Sequence, residues 1–162
     1  MFFSVFSIIL LMDKPTYNLK TSSDKLRYFF ESQGLTTIQK AIIYIPIDNN
    51  PTVHELTFGD IIDDGFVDFL NVSNNQDLEM IMITVIKTIS LYFEEYPDNM
   101  IYFRGSTPSR TRLYRAIIAK QIDKLKLSHQ VYGLQEENHL EIFDKTHSYI
   151  GYLIQKLHEK EN

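Results

Sequence analysis

Between residues 25 and 71 the chain changes polarity with a short period. KLRYFFES (25–32) and TTIQKAIIYIPI (36–47) are dense in aromatic and β-branched residues and flank Gly34, a pattern that predicts a hairpin. Pro46 and the Asp-Asn-Asn-Pro stretch close the second strand. VHELTFGDI (53–61) alternates, with Val53, Leu56 and Phe58 as its apolar members, and Asp63 to Gly65 turn the chain into FVDFLN (66–71). These segments predict an antiparallel meander of three or four strands.

The period then lengthens. Leu78, Ile81, Met82, Val85, Ile86, Ile89 and Phe93 recur at three- and four-residue spacing and predict a largely buried helix ended by Pro97. Asn74 or Asn75 suits its N-cap, and Asp77 and Glu79 suit the positive end of its dipole. NMIYFRG (99–105) predicts a short strand. A second helix follows, capped by Thr107 with Pro108 at its first position; Leu113, Tyr114, Ile117, Ile118, Ile122 and Leu125 form its inward face. HQVYGL (129–134) predicts another strand. Residues 147–157 suit either a strand or a helix. The expected fold is α+β: an antiparallel sheet with two long helices packed on one face.

Composition narrows this further. A chain of 162 residues, 44% hydrophobic, suits one globular domain over 13–162. MFFSVFSIILLM (1–12) reads as an apolar extension, either upstream of a natural start at Met12 or a non-native run that packs where it can. At 12 residues it falls short of the ~20 needed to span a bilayer, and it lacks the basic start of a signal peptide. The absence of cysteine excludes disulfides and thiol chemistry and fits a reducing, cytoplasmic setting. A net charge of -5 argues against generic DNA binding by the whole surface.

Against that acidic background, FRGSTPSRTRLYR (103–115) concentrates four arginines where the second helix begins. Positive charge opposes the helix dipole there. Arg104, Ser106, Thr107, Arg110 and Arg112 would together hold a phosphate or carboxylate, which makes the placement favourable once an anion arrives. A structural alternative stands beside this one: Arg110 packs inward and pairs with a buried acid such as Asp60 or Asp64, while Arg112 and Arg115 are solvated. The segment lacks the Gly-Lys-Ser/Thr ending of a Walker loop, so nucleotide hydrolysis is not implied.

Other residues offer less. Asp60, Asp63, Asp64 and Asp68 crowd one turn but match no calcium loop. His54, His129, His139, His147 and His158 form no i, i+4 pair, so no metal site is expected. No serine is tied to a histidine and an acid by spacing, and no cofactor motif is present. Catalytic residues therefore remain unassigned at this level.

GSTPSRTRLYR (105–115), with LTFGD (56–60) before it and VYGL (131–134) after it, resembles an uncharacterised family of small bacterial proteins that share a Gly-Ser-Thr-x-x-Arg-Thr-Arg-Leu-Tyr-Arg core. The resemblance spans roughly residues 16–157 and carries no activity with it. Three functions are then in view: a binding module for a phosphate-bearing ligand (nucleotide, RNA) or an acidic protein partner; an interaction component of the kind found in toxin–antitoxin or phage-defence loci; and an enzyme acting on a phosphate-containing substrate.

Overall fold

The structure is a computed structural model that describes residues 15–68 and 74–158. The apolar extension at 1–12 and the end of the 66–71 segment lie outside the described residues. Among the described residues nine strands form one mostly antiparallel sheet: β1 (Lys20–Thr21), β2 (Arg27–Gln33), β3 (Thr37–Ile47), β4 (Asn50–Ile61), β5 (Val67–Asp68), β6 (Met100–Phe103), β7 (His129–Leu134), β8 (Leu140–Ile142) and β9 (Gly151–Lys156). Their order is β1-β2-β3-β4-β6-β9-β7-β8, with β5 on β4. Two α-helices accompany them among the described residues, α1 (Leu78–Glu95) and α2 (Pro108–Leu125). The α+β class expected from the sequence is the one observed.

The backbone packs as two compact units. One contains residues 15–45 and 56–97, where β2 and β3 pair from Arg27↔Ile43 to Gln33↔Thr37. This register sets Tyr28 opposite Ile42 and Phe30 opposite Lys40, so the even-numbered side chains share one buried face. Helix α1 covers that face: the Tyr44 and Thr88 hydroxyls lie 2.9 Å apart, and the Tyr44 and Tyr92 rings stack at 4.6 Å. Aromatic pairs of this kind add about 0.5–1.5 kcal/mol beyond their buried area. Thr84 and Thr88, neither of them expected in the core, are fully buried because their hydroxyls bond back to the Met80 and Val85 carbonyls.

The start of α1 departs from expectation. Asp77, not Asn74 or Asn75, stands at the cap position, and its side chain makes no capping bond. Its Oδ2 instead accepts from the Tyr17 and Ser32 hydroxyls, each at 2.5 Å. Asn75 is buried and bridges the Thr36 amide (2.9 Å), the Thr36 carbonyl (2.8 Å) and Ser32 (2.9 Å), pinning the β2–β3 turn. A polar side chain that satisfies a buried turn is unavailable to a helix end. Beneath α1, the Lys40 ammonium pairs with Asp60; both side chains are nearly inaccessible, at 5% and 7%.

The other unit contains residues 46–55 and 98–158. The β4 segment within it pairs in parallel with β6, Val53↔Met100 to Glu55↔Tyr102, a pairing between the N-terminal strands and a later one that the sequence analysis did not specify. Strand β9 settles the open reading of 147–157: its core is extended and lies between β6 and β7. Tyr152 and Ile154 are buried there at 0% and 3%, on one side of the strand. The inward face of α2 is Thr111, Tyr114 and Ile118, with Tyr114 edge-on to Phe103 at 6.0 Å.

Candidate functional site

Strand β6 ends at Phe103, whose ring is buried against Tyr152 at 5.3 Å, and the next four residues lead directly into α2. The bend is tight. A Cβ on Gly105 would lie 2.3 Å from the Thr111 amide nitrogen and 2.6 Å from the Arg110 carbonyl carbon, so only glycine fits. Thr111 is the centre of the turn: its Oγ1 accepts from the Gly105 amide at 3.1 Å and donates to the Thr107 carbonyl at 3.2 Å. The phenol of Tyr152 donates to the Thr111 carbonyl at 3.3 Å, tying the first turn of α2 to β9. The sequence analysis passed over Thr111, because a threonine inside a helix carries no signal of such a role.

Thr107 caps α2 as expected, with extended backbone and its Oγ1 accepting from the Arg110 amide at 3.2 Å. The Thr111 amide donates to the Thr107 carbonyl, and Pro108 has no amide hydrogen. The end of α2 is thus largely satisfied from within. An anion here would be held by guanidinium groups and hydroxyls more than by the open amides the sequence suggested.

The side chains are arranged accordingly. Arg110 donates from Nη1 to Ser106 Oγ at 3.0 Å, and Arg112 from Nη2 to Ser109 Oγ at 3.1 Å. Ser106, Thr107 and Arg110 are therefore drawn together, Arg112 turns to Ser109, and Arg104 is exposed just past β6. Neither Arg104 nor Arg112 makes an ion pair among the described residues. The charges act on nearby phenols. Burial pushes the Tyr114 hydroxyl up to about 12 against the opposing pull of Arg110; burial also raises Tyr102, with Arg104 opposing and Glu55 assisting.

Of the two acids offered as arginine partners, Asp60 holds Lys40, and Asp64 sits in the exposed turn Asp63–Gly65 with φ of 69°. The fourth arginine has a structural use. Arg115 donates from Nη1 to the carbonyls of His147 (2.8 Å) and Lys145 (3.4 Å), fastening the 143–150 loop to α2.

No group of three or more histidine, cysteine or acidic side chains among the described residues is placed to hold a metal ion, and no described helix is long and apolar enough to cross a membrane. No curated protein and no solved structure matches the chain. Residues 13–157 match a family of unknown function (DUF6934), and with the match running from before β1 through β9, the chain belongs to that family.

Proposed function

We propose that this protein is a binding module of the bacterial cytoplasm whose ligand carries phosphate, taken up at the β6–α2 corner by Arg104, Ser106, Thr107, Arg110 and Arg112. One observation carries the reading: Arg104 and Arg112 are exposed at the positive end of a helix, with hydroxyls and no carboxylate to compensate them among the described residues. Guanidinium groups so placed raise the local potential, and a phosphate relieves it through charge-assisted bonds of about 1.5–3 kcal/mol each. The serines hold the Arg110 and Arg112 heads in a defined direction, which lowers the entropy lost on binding. The lack of cysteine agrees with a reducing compartment.

The test is fluorescence anisotropy with a labelled RNA oligonucleotide and ATP as competitor, for wild type, Arg104→Ala and Arg112→Ala. Each variant is expected to weaken RNA binding about tenfold or more at unchanged stability and to flatten the salt dependence by about one phosphate contact. Equal affinity in all three proteins overturns the reading.

A further inference from the structure

The loop that Arg115 fastens to α2 carries a second constellation, on residues that spacing did not connect. Glu141, at the middle of edge strand β8, turns its carboxylate toward the loop. His147 Nδ1 donates to Glu141 Oε1 at 2.6 Å, and the Tyr149 phenol donates to the same oxygen at 2.6 Å. Tyr149 is fixed in turn. Its hydroxyl accepts from the Asp144 amide at 2.9 Å, and its ring lies so close over Gly133 that a Cβ there would meet it at 2.2 Å. The imidazole is thus oriented through Nδ1 by a carboxylate that is itself oriented.

The other ring nitrogen, Nε2, is not the one bound by Glu141. The His147 side chain is 48% exposed, and its Nε2 has Asp144 Oδ2 as its nearest acid, at 4.0 Å. A carboxylate on Nδ1 sets the tautomer, makes Nε2 the basic atom and stabilises the imidazolium formed when it takes a proton. The groups that bear on this ring are Glu141 from β8, Asp144 and Tyr149 from its own loop, and Arg115 from α2 through the His147 carbonyl; Lys145 acts on Asp144, and His139 on Glu141.

The arginine helix supplies the neighbouring charge. Arg115 holds the His147 carbonyl, and Arg112 is three residues earlier on α2, on the same face, with about 5–6 Å between their Cβ atoms. His147 is thus held next to α2 at Arg115, three residues along the helix from Arg112 of the phosphate reading above, on which this inference rests.

We propose that His147, oriented by Glu141 beside the Arg112–Arg115 face of α2, is the general base of an RNA phosphodiester cleavage. The substrate brings its own nucleophile. His147 Nε2 removes the proton of a ribose 2′-hydroxyl; that oxygen forms a bond to the adjacent phosphorus while the bond to the 5′-oxygen breaks. The departing oxygen leaves with its electron pair and takes a proton from water, and the hydroxide so formed takes back the proton held by His147, which restores the base. The products are a 2′,3′-cyclic phosphate and a 5′-hydroxyl, nothing is oxidised or reduced, and the Arg112 guanidinium stabilises charge on the phosphoryl oxygens in the transition state. Glu141 and Arg115 are positioning residues.

The experiment incubates the full chain with a random-sequence pool of labelled RNA oligonucleotides and with the DNA equivalent, following cleavage by gel and binding by anisotropy in the same samples. Cleavage of RNA alone is expected, with His147→Ala reduced at least 100-fold at unchanged binding and partly restored by added imidazole. Glu141→Gln is expected to move the rising limb of the pH profile to lower pH, a readout that a merely structural role would not give. Bound RNA left intact, undiminished cleavage by His147→Ala, or a loss that imidazole does not restore overturns the inference and leaves the anion reading standing. Absence of RNA binding removes both.

Discussion

The Gly105 amide donates to Thr111 Oγ1 across six residues, and this bond sets the angle at which α2 leaves β6. The same closeness leaves no room for a side chain, since the atoms in the way are backbone. Gly105→Ala is expected to cost about 1–3 kcal/mol, as overpacking does in a well-packed turn. Chemical denaturation measures it. Stability equal to wild type would show that the first turn of α2 yields easily.

A second prediction concerns Lys40 and Asp60. Removing one member of a buried ion pair takes the countercharge from the other, and Lys40→Met should destabilise by about 3–5 kcal/mol. The double variant Lys40→Met/Asp60→Leu should recover most of that loss. A double-mutant cycle in urea decides the matter: additive losses would mean that the two groups are not coupled.

His147 should titrate above the ordinary imidazole range, because its bond to Glu141 favours the charged ring, and Glu141→Gln should bring it down. Since the folded-state value is raised, the attraction is complete below the unfolded value and disappears as pH rises through the folded one. NMR titration of the ring, with amide protection factors across 144–150 falling over the same range, is the measurement. An unraised His147 would contradict the geometry.

His129 behaves in the opposite way. Burial first, and then Lys156, push its ring down to about 4, so it stays neutral in the fold while the unfolded chain takes up a proton near pH 6.5. The unfolded state then binds more protons, and stability falls as pH drops from about 6.5 to about 4, by up to about 3 kcal/mol from this residue. His129→Leu should flatten that part of the stability profile relative to wild type. Parallel profiles would rule the residue out as the cause.

Both helices, the Thr107 cap and most strands were legible because they are written in local signals: the spacing of Ile81, Val85 and Phe93, Pro108 behind a threonine, aromatic runs around Gly34. What escaped depends on partners distant along the chain. Asn75 looked like a cap, yet its side chain is bound to Thr36 and Ser32, about forty residues away. The parallel β4–β6 pair joins segments separated by α1, which no period reveals. At the candidate site the arginines were visible as composition. The Arg115 tie to the His147 carbonyl and the Glu141–His147 bond were not, because they need β8, a loop and α2 to meet.

Strand β9 is the last described strand in the sequence, yet it lies between β6 and β7 in space. During synthesis β6, α2 and the β7–β8 hairpin must leave the ribosome before the strand that joins them exists. Until then Phe103 and Val131 lack their cover, and Tyr152 cannot reach the first turn of α2. Pairings that wait for a strand far along the chain make folding slow and expose apolar surface while they wait. A nascent chain stalled before residue 151 would therefore display an unfinished sheet to chaperones and proteases, and completion of this unit becomes a report that translation has passed β9.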